Sequence, residues 1–338
     1  MTSPYNEPLF DLLSYARRGP GRRDQVSLSD VLQIARIVGR TPEVMVKVLS
    51  RGANDLTAVR KHLEYIGRKG KVDLETDDGN KTQAAADILD DWDLEFDEYR
   101  AGADLSATGR KQPPRLVHKV LFSMPAGTPP EKVLRAVQNF CREEFALKHR
   151  YAMALHTDEH HPHVHVMIKS MSEQGERLNI RKAMLRQWRA DFASHLRALG
   201  VPANATHRYI RGAVGLRKPD EIFRATLRGQ STHMRDRTEA VAKELAAGAL
   251  KIERVKAPMI QARRKIGRAW QTVSDLLLRQ ERADLAQEVR KFVAQMPPVM
   301  TDKEYLAARL LEQQRGKTQT SGVLASQSPR FTPPQRSR

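Results

Sequence analysis

Residues 151–169 read YAMALHTDEHHPHVHVMIK, and this stretch decides how the chain folds. Two short apolar runs, Tyr151 to His156 and His163 to Lys169, flank a polar loop that ends at Pro162, which predicts two strands. Five of the 11 histidines fall between positions 156 and 165. Strand residues two apart share a face and lie about 6.6 Å apart. His163 and His165 therefore point one way, and Val164, Val166 and Ile168 point the other way, into a core. If the two strands pair through 157–162, His156 lies across from His163. Three imidazoles then converge on one point, within reach of a divalent metal. Three protein ligands leave coordination positions open, and open positions mean chemistry rather than a structural ion. Asp158, two residues after His156, is placed to accept the second ring N–H of a ligand histidine and fix its tautomer. His161 either contacts a phosphate or is simply exposed, and His160 reads as exposed.

Outward from this pair of strands, strands and helices alternate from about 44 to 200. Val44 to Leu49 reads as a strand. Asn54 or Asp55 caps a helix whose buried face is Leu56, Val59, Leu63 and Ile66, ended by Gly67 and Gly70. Lys71 to Glu75 alternates like a strand and Asp78-Gly79 is a turn signal. Residues 80–114 read as a helix plus a loop. Leu116 to Phe122 is a strand, 123–128 a polar turn, and Pro129-Pro130 open a helix with the stripe Val133, Leu134, Val137, Phe140 and Cys141. Leu185, Trp188, Phe192, Leu196 and Leu199 repeat with helical period before Gly200. The pattern predicts one α/β or α+β core over 41–215. Residues 1–40 read as a basic arm, with arginines at 17, 18, 22 and 23, and a short helix from Leu28 to Val38. Residues 216–315 read as a charged helical region broken at Pro258 and Pro297-Pro298, and 316–338 as a disordered basic tail. No fixed-period repeat is present.

The chain has 338 residues, 40% of them apolar, enough for a sizeable core. Its 58 Lys and Arg against 40 Asp and Glu leave a net charge of +18, which favours a polyanionic partner, nucleic acid first. A single cysteine, Cys141, excludes an internal disulfide and a cysteine-rich metal site, and fits a reducing cytoplasm. No apolar run reaches membrane-span length, and MTSPYNEPLF is not a signal peptide. The expectation is a soluble protein with no membrane insertion, unexported at rest.

Three segments in order resemble the motifs of the relaxase/mobilisation nuclease family, within the HUH endonucleases. His156-x-Asp158-x-x-His161-Pro162-His163-x-His165 resembles the third motif. Ser123-Met124-Pro125-Ala126-Gly127-Thr128, after a strand, resembles the second, and His62 to Gly70, HLEYIGRKG, resembles the first, which carries the nucleophilic tyrosine. The likeness spans about 44–215 and is closest to the branch that contains the border-nicking endonuclease of tumour-inducing plasmids. It implies an α+β fold, a five-stranded antiparallel sheet flanked by helices with the histidines on a central strand, and here a C-terminal helical extension. It implies that Tyr65 attacks a phosphodiester of single-stranded DNA at an origin of transfer, keeping the 5′-phosphate and releasing a 3′-hydroxyl. It further implies relaxosome accessory proteins, a type IV coupling protein, and a bacterial cytoplasmic protein exported with its DNA during conjugation. The family's tyrosine lies very near the N-terminus, whereas roughly forty residues precede the first strand here.

On this reading His156, His163 and His165 hold the ion, Mg or Mn, which neutralises charge developing on the phosphate. Arg68 or Lys69 favours the phenolate of Tyr65. Alone, Tyr65 is an ordinary amphipathic tyrosine at a helix edge; the histidines make it a nucleophile. Ser123 either hydrogen-bonds DNA near the nick or only forms the turn. Arg208, Arg211 and Arg217-Lys218 either track a DNA backbone or form a solvated basic face. Competing readings are a rolling-circle replication initiator or transposase of the same superfamily, an accessory DNA-binding protein with a degenerate site, and a metallohydrolase that uses bound water.

Overall fold

The computed structural model describes residues 25–49, 54–100, 113–212, 225, 228–248 and 250–325. The arginine cluster at 17–23, Arg217-Lys218 and 326–338 lie outside the described residues. The chain divides into two compact units, Met1–His207 with Leu276–Val289, and Arg208–Asp275 with Arg290–Arg338.

The first unit opens with helix α1 (Leu28–Val38), capped by Ser27 in a reciprocal box with Asp30. Its strands are β1 (Met45–Leu49), β2 (Leu74–Thr76), β3 (Lys81–Thr82), β4 (Val117–Ser123), β5 (Tyr151–His156) and β6 (His163–Lys169). They form one antiparallel sheet in the order β1-β4-β6-β5-β2-β3. The sheet has one strand more than the family likeness implied. The extra strand, β3, is a two-residue edge created by the turn at Asp78-Gly79. There the Asp78 carboxylate accepts from Asn80 N (3.1 Å) and from Thr76 Oγ1 (2.5 Å), and Gly79 takes φ 85°. A two-residue polar strand shows no alternation in sequence, so only the turn was legible.

Strands β4 and β6 are buried on both faces, as their near-continuous apolar sequences require. On one face Val120, Phe122, Val164, Val166 and Ile168 pack against α4 (Pro130–Phe145) and α5 (Lys182–Ala198). An aromatic cluster fills that layer: Phe122 lies 5.0 Å from Phe140 and 5.2 Å from Phe192, and Trp188 lies 5.9 Å from Phe140, centroid to centroid. Each such pair contributes about 0.5–1.5 kcal/mol beyond its area burial. The Trp188 indole donates to Glu144 (2.9 Å), so its polar atom is satisfied. On the other face the small side chains of Ala152 and Ala154, with Val117 and Met167, receive α2 (Leu56–Ile66) and α3 (Ala85–Asp91) through Val59, Leu63, Ile66, Ile88 and Leu89. This second layer carries the helix on which Tyr65 stands.

The second unit is helical. In α6 (Thr232–Ala246), capped by Ser231, Val241 packs with Leu306 and Ala307 of α9 (Asp302–Ala325). Trp270 donates to the Ile210 carbonyl (2.9 Å) and packs on Phe292. Between them in sequence run α7 (Lys256–Arg279) and α8 (Ala283–Ala294), of which Leu276–Val289 belongs to the first unit. Pro258, read above as a break, instead lies in the first turn of α7, where proline's missing N–H has no helical partner to lose. Helix α9 continues to Ala325, past the expected start of a disordered tail at 316. Among the described residues no helix is long and apolar enough to cross a membrane.

Candidate metal and tyrosine site

Sheet register builds the site. Strands β5 and β6 pair with His156 opposite His163 and Ala154 opposite His165. Strands β4 and β6 pair with Ser123 opposite His163 and Leu121 opposite His165. Paired residues share a face, so the three histidines and Ser123 all lie on the side covered by α2. The three rings sit 4.7–5.3 Å apart, centroid to centroid. One nitrogen from each lies within 4.8 Å of the other two, and all three residues are buried.

The hydrogen bonds show what these nitrogens are free to do. His163 Nδ1 donates to the His161 carbonyl (2.9 Å), which fixes its ring. His165 Nδ1 is fully buried and has no hydrogen-bond partner. An orphaned buried nitrogen is costly unless something binds the ring, and a metal ion is such a partner. His156 differs. Its Nε2 donates to the Ile66 carbonyl (2.7 Å), and its Nδ1 accepts from Arg68 at 3.2 Å, since a guanidinium can only donate. The donor set, three buried imidazoles, fits a divalent ion, with Arg68 or Ile66 yielding His156 to it.

Asp158 requires a correction. It was expected to accept a ligand histidine's N–H; instead its carboxylate takes a hydrogen bond from Arg68 (2.5 Å), and Arg68 in turn touches His156. Asp158 is exposed on the loop after β5, and a forked guanidinium competes for it better than a buried ring. Arg68 reaches this place because Arg68, Lys69 and Gly70 all have positive φ (51°, 55° and 82°), which curls the chain back over the end of α2.

Helix α2 begins at Asp55, whose side chain caps Ala58 N (2.7 Å), and its buried face is Val59, Leu63 and Ile66. That face leaves Tyr65 on the flank, 53% exposed. The ring nevertheless borders the histidines: it lies 5.9 Å from His165 and 6.4 Å from His156, edge to face. The Arg68 guanidinium stands 5.2 Å over it. His62, one turn earlier, stacks on it at 5.9 Å and also meets His165. The histidines thus lie beside the tyrosine through the packing of α2 on Ala152 and Ala154.

Of the remaining expected residues, Ser123 is buried, with its hydroxyl 3.4 Å from the Met124 carbonyl, and its strand position faces the histidines. Lys69 and His161 are exposed close by in sequence to the site. Arg208 and Arg211 fall on the 3₁₀ turn Arg208–Arg211 of the second unit and are not among the residues the first unit brings together. Two residues at the site carried no assignment from sequence. The His62–Tyr65 spacing of three places both on one helix side and was the available signal. Lys119 is buried on the histidine face of β4, where alternation from Ser123 already placed it.

Burial favours the neutral form of His62, His156 and His165. It pulls the His165 pKa down to about 3, with His156 and His163 adding to the effect. Burial also takes His62 down to about 4, with help from the charge of Lys119, and it lowers His156. These groups take up protons more readily when unfolded, so stability is full above pH 6.5 and falls as pH drops toward 4. In the presence of chelator, unfolding free energy from urea titrations is expected to fall by on the order of 2 kcal/mol between pH 7 and pH 5. His165→Asn is expected to show a visibly shallower fall; equal slopes in the two proteins would mean that His165 is not held neutral by the fold.

Residues 65–196 match the family described as "Relaxase: MobA/VirD2-like, nuclease domain". The chain is 26% identical over 137 residues to the T-DNA border endonuclease VirD2 of Rhizobium radiobacter, across 37% of this chain and 31% of that protein. It is likewise 26% identical over 137 residues to the T-DNA border endonuclease VirD2 of Rhizobium rhizogenes, across 30% of that protein's length. The chain therefore spans less than a third of these relatives. The matched segment starts at Tyr65, takes in all three histidines and covers less than half of this chain, which over that segment resembles the MobA/VirD2-like relaxase nuclease domain.

Proposed function

We propose that this protein nicks one strand of DNA at a plasmid or mobile-element origin of transfer by tyrosine transesterification. The observation that carries the reading is the ring of Tyr65, half open to solvent yet bordered by His62, His156, His165 and Arg68. A nucleophile for a polymer must be reachable from outside and also touch the charge-stabilising groups, and this tyrosine meets both conditions.

Tyr65 Oη attacks the scissile phosphorus. An Oη–P bond forms, the P–O3′ bond breaks, the phenolic proton leaves to solvent or a neighbouring base, and O3′ takes up a proton. The two transesterifications, forward and reverse, conserve the phosphoester bond for rejoining. His156, His163 and His165 hold a divalent ion, Mg or Mn, which when bound supplies charge neutralisation at the scissile phosphate. Arg68 lies over the phenol ring, and Asp158 accepts a hydrogen bond from its guanidinium and steadies it there. Lys69 and His161 are exposed and would supply phosphate contacts, and Ser123 is buried opposite His163 in the sheet. The second unit's Arg208 and Arg211 and the net +18 extend the electrostatic attraction for single-stranded DNA. Transfer of the conjugate in conjugation, with relaxosome accessory proteins and a type IV coupling protein, belongs to the same reading and rests on the three-motif resemblance.

The test is incubation with single-stranded oligonucleotides tiled over a candidate origin, with Mg²⁺ or Mn²⁺. One oligonucleotide is expected to yield a protein–DNA adduct that survives denaturation, with a free 3′-hydroxyl on the released fragment. Metal-dependent nicking without an adduct would replace the tyrosine mechanism by a water-using metallohydrolase.

A further inference from the structure

A cleft of about 470 Å³ opens on the first unit, away from the histidine site. His118 lines it, and His118 pairs with Ile168 on β6, so it projects from the sheet face opposite to His163 and His165. Its aliphatic walls are Val48, Ile180 and Leu185. Two of its polar atoms are fully buried and unpartnered, His118 Nδ1 and Ser170 Oγ, in residues 8% and 1% exposed. His118 Nε2 lies 2.9 Å from the Leu178 carbonyl. A carbonyl only accepts, so Nε2 carries the hydrogen and Nδ1 presents a bare lone pair. Buried acceptors without partners are rare in folded proteins, and this one belongs to a side chain that lines an open cleft, where a ligand's donor group would satisfy it.

The rim has the opposite need. Arg115 and Arg177 are exposed at the cleft, and among the described residues no carboxylate lines it. Arg177 donates to the Arg115 carbonyl (2.8 Å), which ties the two rim segments together. Both cationic charges act on the His118 ring, and they add to burial in holding it neutral. The cleft therefore asks for three things in one ligand: a flat apolar body, a hydrogen-bond donor at one edge, and an anionic group at the other.

We infer that this cleft is a second nucleotide-binding subsite. It takes one nucleotide, its amino-bearing base (adenine, cytosine or guanine) between Val48, Ile180 and Leu185. The exocyclic amine donates to His118 Nδ1 with Ser170 beside it, and the phosphate lies against Arg115 and Arg177. Thymine lacks the amine and fits less well. The volume admits one nucleotide and no base pair. A free mononucleotide and one nucleotide of a single strand share this chemistry. The subsite is separate from Tyr65 and stands whether or not Tyr65 cleaves DNA.

The experiment is a titration of the full chain, ¹⁵N-labelled, with 5′-dAMP, 5′-dTMP, inorganic phosphate, a hexamer of deoxyadenylate and an acidic peptide. Shifts are followed at the His118 ring nitrogens and the Ser170 amide. Saturable shifts with 5′-dAMP are expected, at an affinity about fivefold or more above that of 5′-dTMP, the loss of one hydrogen bond to a buried group. Arg115→Ala with Arg177→Ala, both at exposed positions, is expected to weaken 5′-dAMP about tenfold, and Arg115→Ala alone, which keeps the Arg177 bond to the residue 115 carbonyl, to weaken it in the same direction. Ser170→Ala is expected to weaken 5′-dAMP while leaving inorganic phosphate unchanged. Shifts with the hexamer as well as the mononucleotide assign the subsite to a strand; shifts with the mononucleotide alone assign it to a free nucleotide, and both support the inference. No shift at millimolar 5′-dAMP, equal shifts with phosphate alone, or shifts only with the acidic peptide would overturn it. Adduct formation by Tyr65 is scored separately, so failure of one assignment does not mask the other.

Discussion

Tyr65→Phe is expected to abolish the covalent protein–DNA adduct and to lower strand cleavage by on the order of 10⁴-fold or more, the scale at which loss of a nucleophile acts. The substitution removes one oxygen and keeps the ring, so the stacking on His62 and the edge contacts with His156 and His165 persist. The position is half exposed, and surface substitutions that spare packing stay within about 0.5 kcal/mol of wild-type stability. Affinity for the uncut oligonucleotide is expected to stay within about threefold, because phosphate contacts elsewhere dominate it. Among the described residues of the first unit, the other tyrosines, Tyr99 and Tyr151, do not stand in. Tyr151 is buried, its position opposite Ile168 puts it on the wrong face of the sheet, and burial pushes its phenol up to about 12. Tyr99 is exposed and takes part in none of the ring contacts around the histidines. Mass spectrometry of the wild-type adduct after proteolysis should place the DNA on the peptide that contains Tyr65. An adduct of wild-type yield in Tyr65→Phe would end the assignment.

What the sequence disclosed about this site follows from which forces are local. The register that sets His156 against His163 is fixed by a short loop and by a period of two, and both are written in residues 151–169. Helix α2 was legible from its Asp55 cap and from Val59, Leu63 and Ile66, so the exposed flank of Tyr65 followed. The meeting of Tyr65 with the histidines was not derivable from either element alone. It depends on Ala152 and Ala154, whose small side chains let α2 pack directly on β5. The link from Asp158 through Arg68 to His156 was out of reach for another reason. It requires positive φ at Arg68 and Lys69, a conformation that the neighbouring Gly70 adopts freely but that non-glycine residues seldom adopt. The cleft at His118 is wholly tertiary, since Val48, His118, Ser170 and Ile180 come from four separate stretches of chain. Strands, helices and the convergence of three histidines were thus legible from patterning; the contacts around those histidines were not.

His163→Ala separates the ion from the strand. Among the three histidines it is the clearest one to remove. His156 is tied to Ile66 and Arg68, and His165 is wedged against His62 and Tyr65, so truncating either would disturb the tyrosine as well. Beyond its ring contacts with His156 and His165, His163 gives up its bond to the His161 carbonyl, and His161 is exposed, so water can replace the lost donor. Losing an orienting neighbour of a metal site costs 10–100-fold in affinity, so loss of a ligand is expected to cost at least about a hundredfold. The ion's own stabilisation reads this out without any reaction. An ion held tenfold above its dissociation constant raises wild-type stability by about 1.4 kcal/mol. At the same concentration, a site weakened a hundredfold is stabilised by less than about 0.1 kcal/mol. The melting temperature of wild type is therefore expected to rise with Mn²⁺ while that of His163→Ala stays flat. Metal-stimulated cleavage should be lost, and single-stranded DNA affinity measured with chelator should change by less than about threefold. If Mn²⁺ raises the melting temperature of His163→Ala as much as that of wild type, His163 leaves the ligand set. The converging nitrogens would then need another explanation, namely that they pack around Tyr65 and hold no ion.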